Sequence, residues 1–219
     1  MPSWRVIGFN LKQPIIRTNA FGGTAMSFEF RTVPHIISET GCAERLGALL
    51  AEYFDSRKAL VVTDKGLVDA GVVAPVLASL EAVGFTVTVF DKVLADPPEA
   101  LAHEAVALVK DKDIGLVIGL GGGSSMDVAK IVAVLAVSDQ PLADMYGVNK
   151  VTGGRLPLVQ IPTTAGTGSE VTPISILTTG ETTKMGVSAP PLYADMAVLD
   201  AALTVGLPAK HTAATGIDA

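Results

Sequence analysis

The sequence is short of cysteine, aromatics and positive charge, and it has no long apolar run. Its one cysteine, Cys42, cannot close an internal disulfide, which points to a reducing compartment and predicts a cytoplasmic location. Cys42 stands in a helix-like stretch and reads as a structural thiol rather than a nucleophile. Lys and Arg number 16 against 22 Asp and Glu, a net charge of −6. No basic stripe is available to neutralise phosphates, so a nucleic-acid partner is excluded. The longest fully apolar stretches, such as Ile131 to Val137, fall far short of the roughly 18 residues a spanning helix needs, which argues against a membrane span. The first residues also lack the continuous apolar core of a signal peptide.

What is present is a strongly apolar chain. Hydrophobic residues make up 49% and charged residues 17%, so disorder is excluded for the bulk of it. The mean hydropathy of +0.47 suits parallel strands buried on both faces. A length of 219 residues holds one sizeable α/β domain, or one domain and an appendage. Residues 1–25 carry Arg5, Lys12 and Arg17, no acid and no sustained periodicity. They are expected to form a mobile extension, or upstream sequence ahead of a start at Met26, rather than a transit peptide.

From Met26 the pattern becomes regular. Ala59 to Thr63 is a β-prone run ending at Asp64, followed by helical spacing through Val68, Val72, Val76, Leu80 and Val83. Gly84 breaks that pattern before a second strand, Phe85 to Phe90. Asp96-Pro97-Pro98 introduces a helix from Glu99 to Lys110, and Ile114 to Leu120 is a third strand, apolar on both faces. Leu156 to Ile161 is strand-like, Ile174 to Thr178 and Thr183 to Val187 flank Gly180-Glu181 as a hairpin, and Ala197 to Asp200 is one more strand. Pro208 opens a final helix. Alternating strands and helices predict an α/β fold with a doubly wound, mostly parallel sheet, whose strand carboxyl ends share the ligand-binding edge. The domain is expected over residues 26–205, with 206–219 beginning a separate helical unit.

Two loops carry chemistry. Gly121-Gly122-Gly123-Ser124-Ser125-Met126-Asp127 lies between the third strand and a helix predicted over Val128 to Val137. Glycines allow close backbone approach, and a helix amino terminus presents free N–H groups, so together they form a cradle for a diphosphate. It is not the G-x-G-x-x-G fingerprint, because the third glycine would fall on Ser124. A plain strand-to-helix turn is the alternative. Pro162-Thr163-Thr164-Ala165-Gly166-Thr167-Gly168-Ser169-Glu170 follows a strand, and its hydroxyls can bond phosphates or ribose, or simply form a turn. Asp64, ending a strand, suits either of two roles. One accepts the hydroxyls of an adenine ribose, favouring NAD over NADP; the other caps a helix.

GGGSSMDVAK, PTTAGTGSE and AATGIDA, in that order, resemble the iron-containing alcohol dehydrogenase family, whose fold is dehydroquinate-synthase-like. The similarity extends from about Met26 to the last residue. The resemblance implies a Rossmann-like NAD-binding domain followed by an all-helical domain, with the active site in the cleft between them. It implies that Asp64 binds the ribose, that Gly121, Gly122, Gly123 and Ser124 hold the pyrophosphate, and that Asp127 lies near the nicotinamide. Thr163, Thr164, Thr167 and Ser169 become further cofactor contacts, and Lys184 reaches the ribose, although on position alone Lys184 reads as an exposed strand lysine.

The family holds a divalent iron, sometimes zinc, with one Asp and three His, the Asp lying in a T-G-x-D segment with the first His four residues after it. That spacing puts both ligands on one helical face. Thr215-Gly216-Ile217-Asp218 supplies the Asp, and Ala219 is the last residue given. His35, His103 and His211 match no ligand position. The resemblance therefore implies an NAD- and metal-dependent dehydrogenase of a small-molecule alcohol or aldehyde, homo-oligomeric, with the 219-residue chain binding NAD and turning over poorly. Self-association of the isolated chain is expected as well. Alternatives are a stand-alone NAD-binding module, or a sister activity such as maleylacetate reduction or dehydroquinate synthesis.

Overall fold

The computed structural model describes residues 30–219; the extension expected over residues 1–25 lies outside them. In chain order the elements are β1 (Ile36–Ser38), α1 (Leu46–Tyr53), β2 (Lys58–Val62), α2 (Lys65–Asp69), α3 (Ala74–Ala82), β3 (Thr86–Phe90), α4 (Glu99–Lys112), β4 (Leu116–Gly121) and α5 (Gly123–Leu135). There follow α6 (Leu142–Met145), β5 (Gly147–Val148), β6 (Leu158–Pro162), β7 (Ile174–Thr179), β8 (Thr183–Ser188), β9 (Met196–Leu199) and α7 (Ala209–Asp218). Six strands form one sheet in the order β1-β9-β6-β4-β2-β3, and every pairing in it is parallel. The expected α/β architecture is present. A smaller sheet, β5-β8-β7, carries the antiparallel β7–β8 hairpin.

The large sheet buries both faces, and the strands divide their side chains between two cores with the period of two that a pleated strand imposes. Leu60, Val62 and Val117 join a core with residues of α4 and α5 such as Val106, Val109, Val128 and Val132. Ala59, Val61, Leu116, Ile118 and Leu120 join the opposite core with Leu46 and Leu50 of α1 and Val76 and Leu80 of α3. Each fully buried aliphatic side chain contributes about 1.5–3 kcal/mol.

The topology then fixes where a ligand can sit. Strand β2 has β3 on one side and β4 on the other. The chain winds outward to β3, returns across β2 to β4, and continues in the opposite direction. Winding reverses between β2 and β4, and the crevice outside the carboxyl ends of those strands is where open α/β sheets bind ligands. Asp64 and Gly121 flank that crevice.

Several boundaries differ from the sequence expectation. The helical pattern through Val68 to Val83 is two helices, α2 and α3, because Gly71 at φ 75° turns the chain between them. Helix α5 starts at Gly123, not Val128, so the glycine loop is itself the helix entry. Cys42 opens a 3-10 turn, fully buried, and burial pushes its thiol pKa up. The adjacent Asp200, after β9, accepts from the N–H groups of Gly41 (2.7 Å), Ala43 (2.9 Å) and Ala202 (2.9 Å). Burial alone would raise its pKa, but these three donors outweigh it and hold the carboxyl below its usual range. Among the described residues, no helix is long and apolar enough to cross a membrane.

Candidate functional site

The glycine loop separates into one residue the fold requires and one it does not. Gly121 has φ 154°, and a Cβ there would sit 2.7 Å from Ser125 Oγ, so the turn itself needs glycine. Gly122 has φ −76° and caps α5, and a Cβ there would meet nothing closer than Thr164 at 3.7 Å. Neither sterics nor backbone conformation demands glycine at 122; close approach of a ligand to a helix amino terminus would. A Cβ at Gly123 would lie 3.2 Å from Thr167 Cγ2, so the hydroxyl loop is packed directly over the helix entry.

The hydroxyl loop is tied to the glycine loop through backbone. Thr163 is buried and its N–H donates to the Gly121 carbonyl at 2.9 Å. Thr164 Oγ1 is buried without a hydrogen-bond partner, next to the space left by Gly122. A buried hydroxyl without a partner is costly in a finished core and expected at a site that a polar ligand completes. Gly166, at φ 151°, comes so close to α7 that a Cβ would lie 2.2 Å from the Thr215 carbonyl oxygen. The helix bearing Asp218 therefore rests on this loop through main-chain contact.

Below the loop, α5 carries a buried polar network. Ser169 donates its hydroxyl to Asp127 Oδ1 at 2.6 Å and accepts from Lys130 Nζ at 2.7 Å. Lys130 also donates to the Ile174 carbonyl at 2.6 Å, and its Nζ is 3.5 Å from Asp127 Oδ1. Asp127 Oδ2 accepts from the Ile176 N–H at 2.9 Å. Desolvation raises the Asp127 pKa against the opposing pull of Lys130 and Ser169, and desolvation pushes Lys130 down to about 8.

These elements enclose a cleft of about 410 Å³ whose floor includes Gly123, Ser124, Asp127, Thr167 and Ser169. Its far wall is the hairpin, with Ile174, Ile176, Thr178 and Lys184, and the loop at Asp96 and Pro97. Lys184 is exposed and ion-paired to Asp96 at 2.7 Å.

Of the residues expected from sequence, the cleft thus brings together Gly123, Ser124, Asp127, Thr167, Ser169 and Lys184. Gly121, Gly122, Thr163 and Thr164 form the adjoining rim. Asp64 stands apart, across the glycine loop, where its Oδ1 accepts from the Leu67 N–H at 3.0 Å and caps α2. Leu67 in turn would touch a Cβ at Gly121 at 3.3 Å, so the Asp64 turn borders the same loop.

For the metal, the backbone puts Asp218 at the end of α7. His35 packs edge-on against Tyr53, and His103 and His211 are exposed on α4 and α7. Among the described residues no three of His, Cys, Asp or Glu come together as a metal site.

The model of the family described as iron-containing alcohol dehydrogenase matches residues 34–201. The chain belongs to that family. It is 48% identical over 163 residues to long-chain-alcohol dehydrogenase 1 of Geobacillus thermodenitrificans, covering 73% of this chain and 41% of that enzyme. It superposes on the crystal structure of 1,3-propanediol oxidoreductase with a TM-score of 0.83 at 30% identity, covering 88% of this chain and 50% of that one. The sulfoacetaldehyde reductase of Bifidobacterium kashiwanohense, solved in complex with NAD+, matches with a TM-score of 0.80 at 31% identity, covering 88% of this chain and 51% of that one. The chain spans about half the length of these relatives.

Lys130 was not among the residues singled out from sequence. It closes the GGGSSMDVAK motif and sits in an apolar helix whose other residues from Val128 to Leu135 are buried, and that uninterrupted apolar context signals that this lysine is not a surface residue.

Proposed function

We propose that this chain is the cofactor-binding part of a dehydrogenase that interconverts an alcohol with its aldehyde or ketone, using NAD. The observation that carries the reading is the pairing of Gly122, which the fold leaves free to be another residue, with the unpartnered Thr164 hydroxyl beside it. The residues fit a dinucleotide. The α5 amino terminus and Gly122 would take the diphosphate, Thr164 and Thr167 would donate hydroxyls to it, and Asp64 would receive the adenine ribose with its second carboxylate oxygen. Lys184 would exchange Asp96 for the ribose nearer the nicotinamide. NAD supplies the acceptor for the carbinol hydride. The protein would orient it against the apolar wall of Ile174 and Ile176.

The metal is a separate matter. Asp218 is assigned as a ligand by family resemblance, and among the described residues no three of His, Cys, Asp or Glu come together to hold a metal ion, so no step is derived through a metal. A lone carboxylate holds a divalent ion weakly. The 219-residue chain is accordingly expected to bind NAD and to turn over poorly or not at all, in a cytoplasmic and homo-oligomeric setting.

The test is equilibrium titration of the purified chain with NADH, repeated on Gly122→Ala. Saturable binding weakened at least about tenfold by the added methyl, or about 1.4 kcal/mol, supports the reading. Equal binding by both proteins removes it.

A further inference from the structure

Lys130 is fully buried, and none of the roles assigned to the cofactor site uses it. Its ammonium has three protons and three acceptors: Ser169 Oγ at 2.7 Å, the Ile174 carbonyl at 2.6 Å, and Asp127 Oδ1 at 3.5 Å. These belong to the hydroxyl loop, the first strand of the hairpin and the glycine-bearing helix, which are the three walls of the cleft. We propose that Lys130 is a positioning residue for cofactor binding. Its ammonium locks those walls together, and its charge offsets the Asp127 carboxylate on the cleft floor so that an anionic dinucleotide can enter. The inference rests on the cofactor reading above.

The charged groups acting on Lys130 are Asp127 on its own helix and Glu170 at the end of the hydroxyl loop. The buried residues of α4, which packs on the same helix, are Ala102, Ala105, Val106 and Val109. Strand β6 contributes the neutral Gln160, and Lys184 at the cleft mouth is paired with Asp96. Desolvation leaves Lys130 titrating at about 8, and its deprotonation exposes the cleft to the full Asp127 charge. Cofactor affinity therefore falls as pH rises through that value.

Stability moves the opposite way. The folded-state pKa lies below the ordinary 10.5. Between the two values the unfolded chain holds a proton that the folded chain has released, so the contribution of Lys130 to folding stability rises with pH. A lysine with a purely structural role would show the second trend without the first.

The experiment measures NADH dissociation constants of the full chain from about pH 6.5 to about pH 9.5. It compares the wild type with Lys130→Met and with the double variant Lys130→Met/Asp127→Asn, which removes both members of the buried ion pair together and so limits the cost to folding. The expected result is a wild-type affinity that weakens about threefold to tenfold across the interval, a tenfold change corresponding to one pKa unit. The double variant should be weaker than the wild type at the acid end and flat throughout. A flat wild-type profile, or a double variant that keeps the wild-type slope, overturns the inference. Absence of NADH binding by the wild type removes the cofactor reading and this inference with it. Wild-type binding with an unaltered slope in the double variant removes this inference alone.

Discussion

Two clefts of nearly equal size open at the carboxyl edge of the sheet, about 410 Å³ beside α5 and about 420 Å³ beside Asp200, and each has an aspartate in its wall. In the second cleft the Asp200 carboxylate is saturated by three main-chain donors and its pKa is lowered. In the first, Asp127 shares a buried hydroxyl with a lysine, its pKa is raised, and an unpartnered Thr164 hydroxyl stands at the rim. Volume does not separate the two. What separates them is whether the polar groups are already satisfied: Asp200 is a finished staple between the exits of β1 and β9, and the α5 cleft is a site with bonds still to make.

The contrast can be broken most severely at the turn that builds the first cleft. Gly121→Val forces a β-branched residue into φ 154° with its Cβ 2.7 Å from Ser125 Oγ. It should destabilise the chain by about 3 kcal/mol or more, read as a fall in the denaturation midpoint. Asp200→Ala should come next, with a loss of about 2–4 kcal/mol for the charged hydrogen bonds it removes and no change in NADH affinity at a pH where the protein remains folded. Because the folded-state pKa of Asp200 is depressed, its stabilisation is present above the ordinary carboxylate range and lost as pH falls through the folded value. Acid denaturation should therefore shift to lower pH in the variant than the neutral-pH loss alone would suggest.

Gly122→Ala inverts the pattern, with a stability change within about 1 kcal/mol for the altered cap and a loss of NADH binding of at least about tenfold. Asp64 gives the smallest and sharpest distinction. Asn caps a helix about as well as Asp, so Asp64→Asn should leave the denaturation midpoint unchanged while preference for NADH over NADPH shrinks. Asp64→Ala should lose about 1 kcal/mol of stability as well. If Asp64→Asn keeps the full preference, the residue is a cap and nothing more.

These residues also show what the sequence makes legible. The glycine and hydroxyl loops were readable because their chemistry is local: backbone freedom and hydroxyls need no knowledge of what packs above them. The parallel sheet was readable from strands such as Leu116–Gly121, buried throughout. Asp64 was ambiguous because ribose binding and helix capping both call for a carboxylate at a strand end, and the structure shows the cap already in use. Lys130 could not be placed, since nothing local announces that Ser169 and Ile174, 39 and 44 residues away in sequence, close around its ammonium. The contact between Gly166 and Thr215 is likewise a matter of tertiary approach, invisible in either segment alone. The break between α2 and α3 is invisible to periodicity because Val68, Val72 and Val76 keep a helical spacing in sequence across Gly71.

The central claim, that the α5 cleft and not its twin receives the dinucleotide, is tested most directly by amide hydrogen exchange of the chain with and without saturating NADH. The account predicts new protection in residues 121–127 and 163–169, with residues 41–45 and 200–206 unchanged. Protection confined to the Asp200 cleft, or none in the glycine loop at saturating NADH, would contradict it.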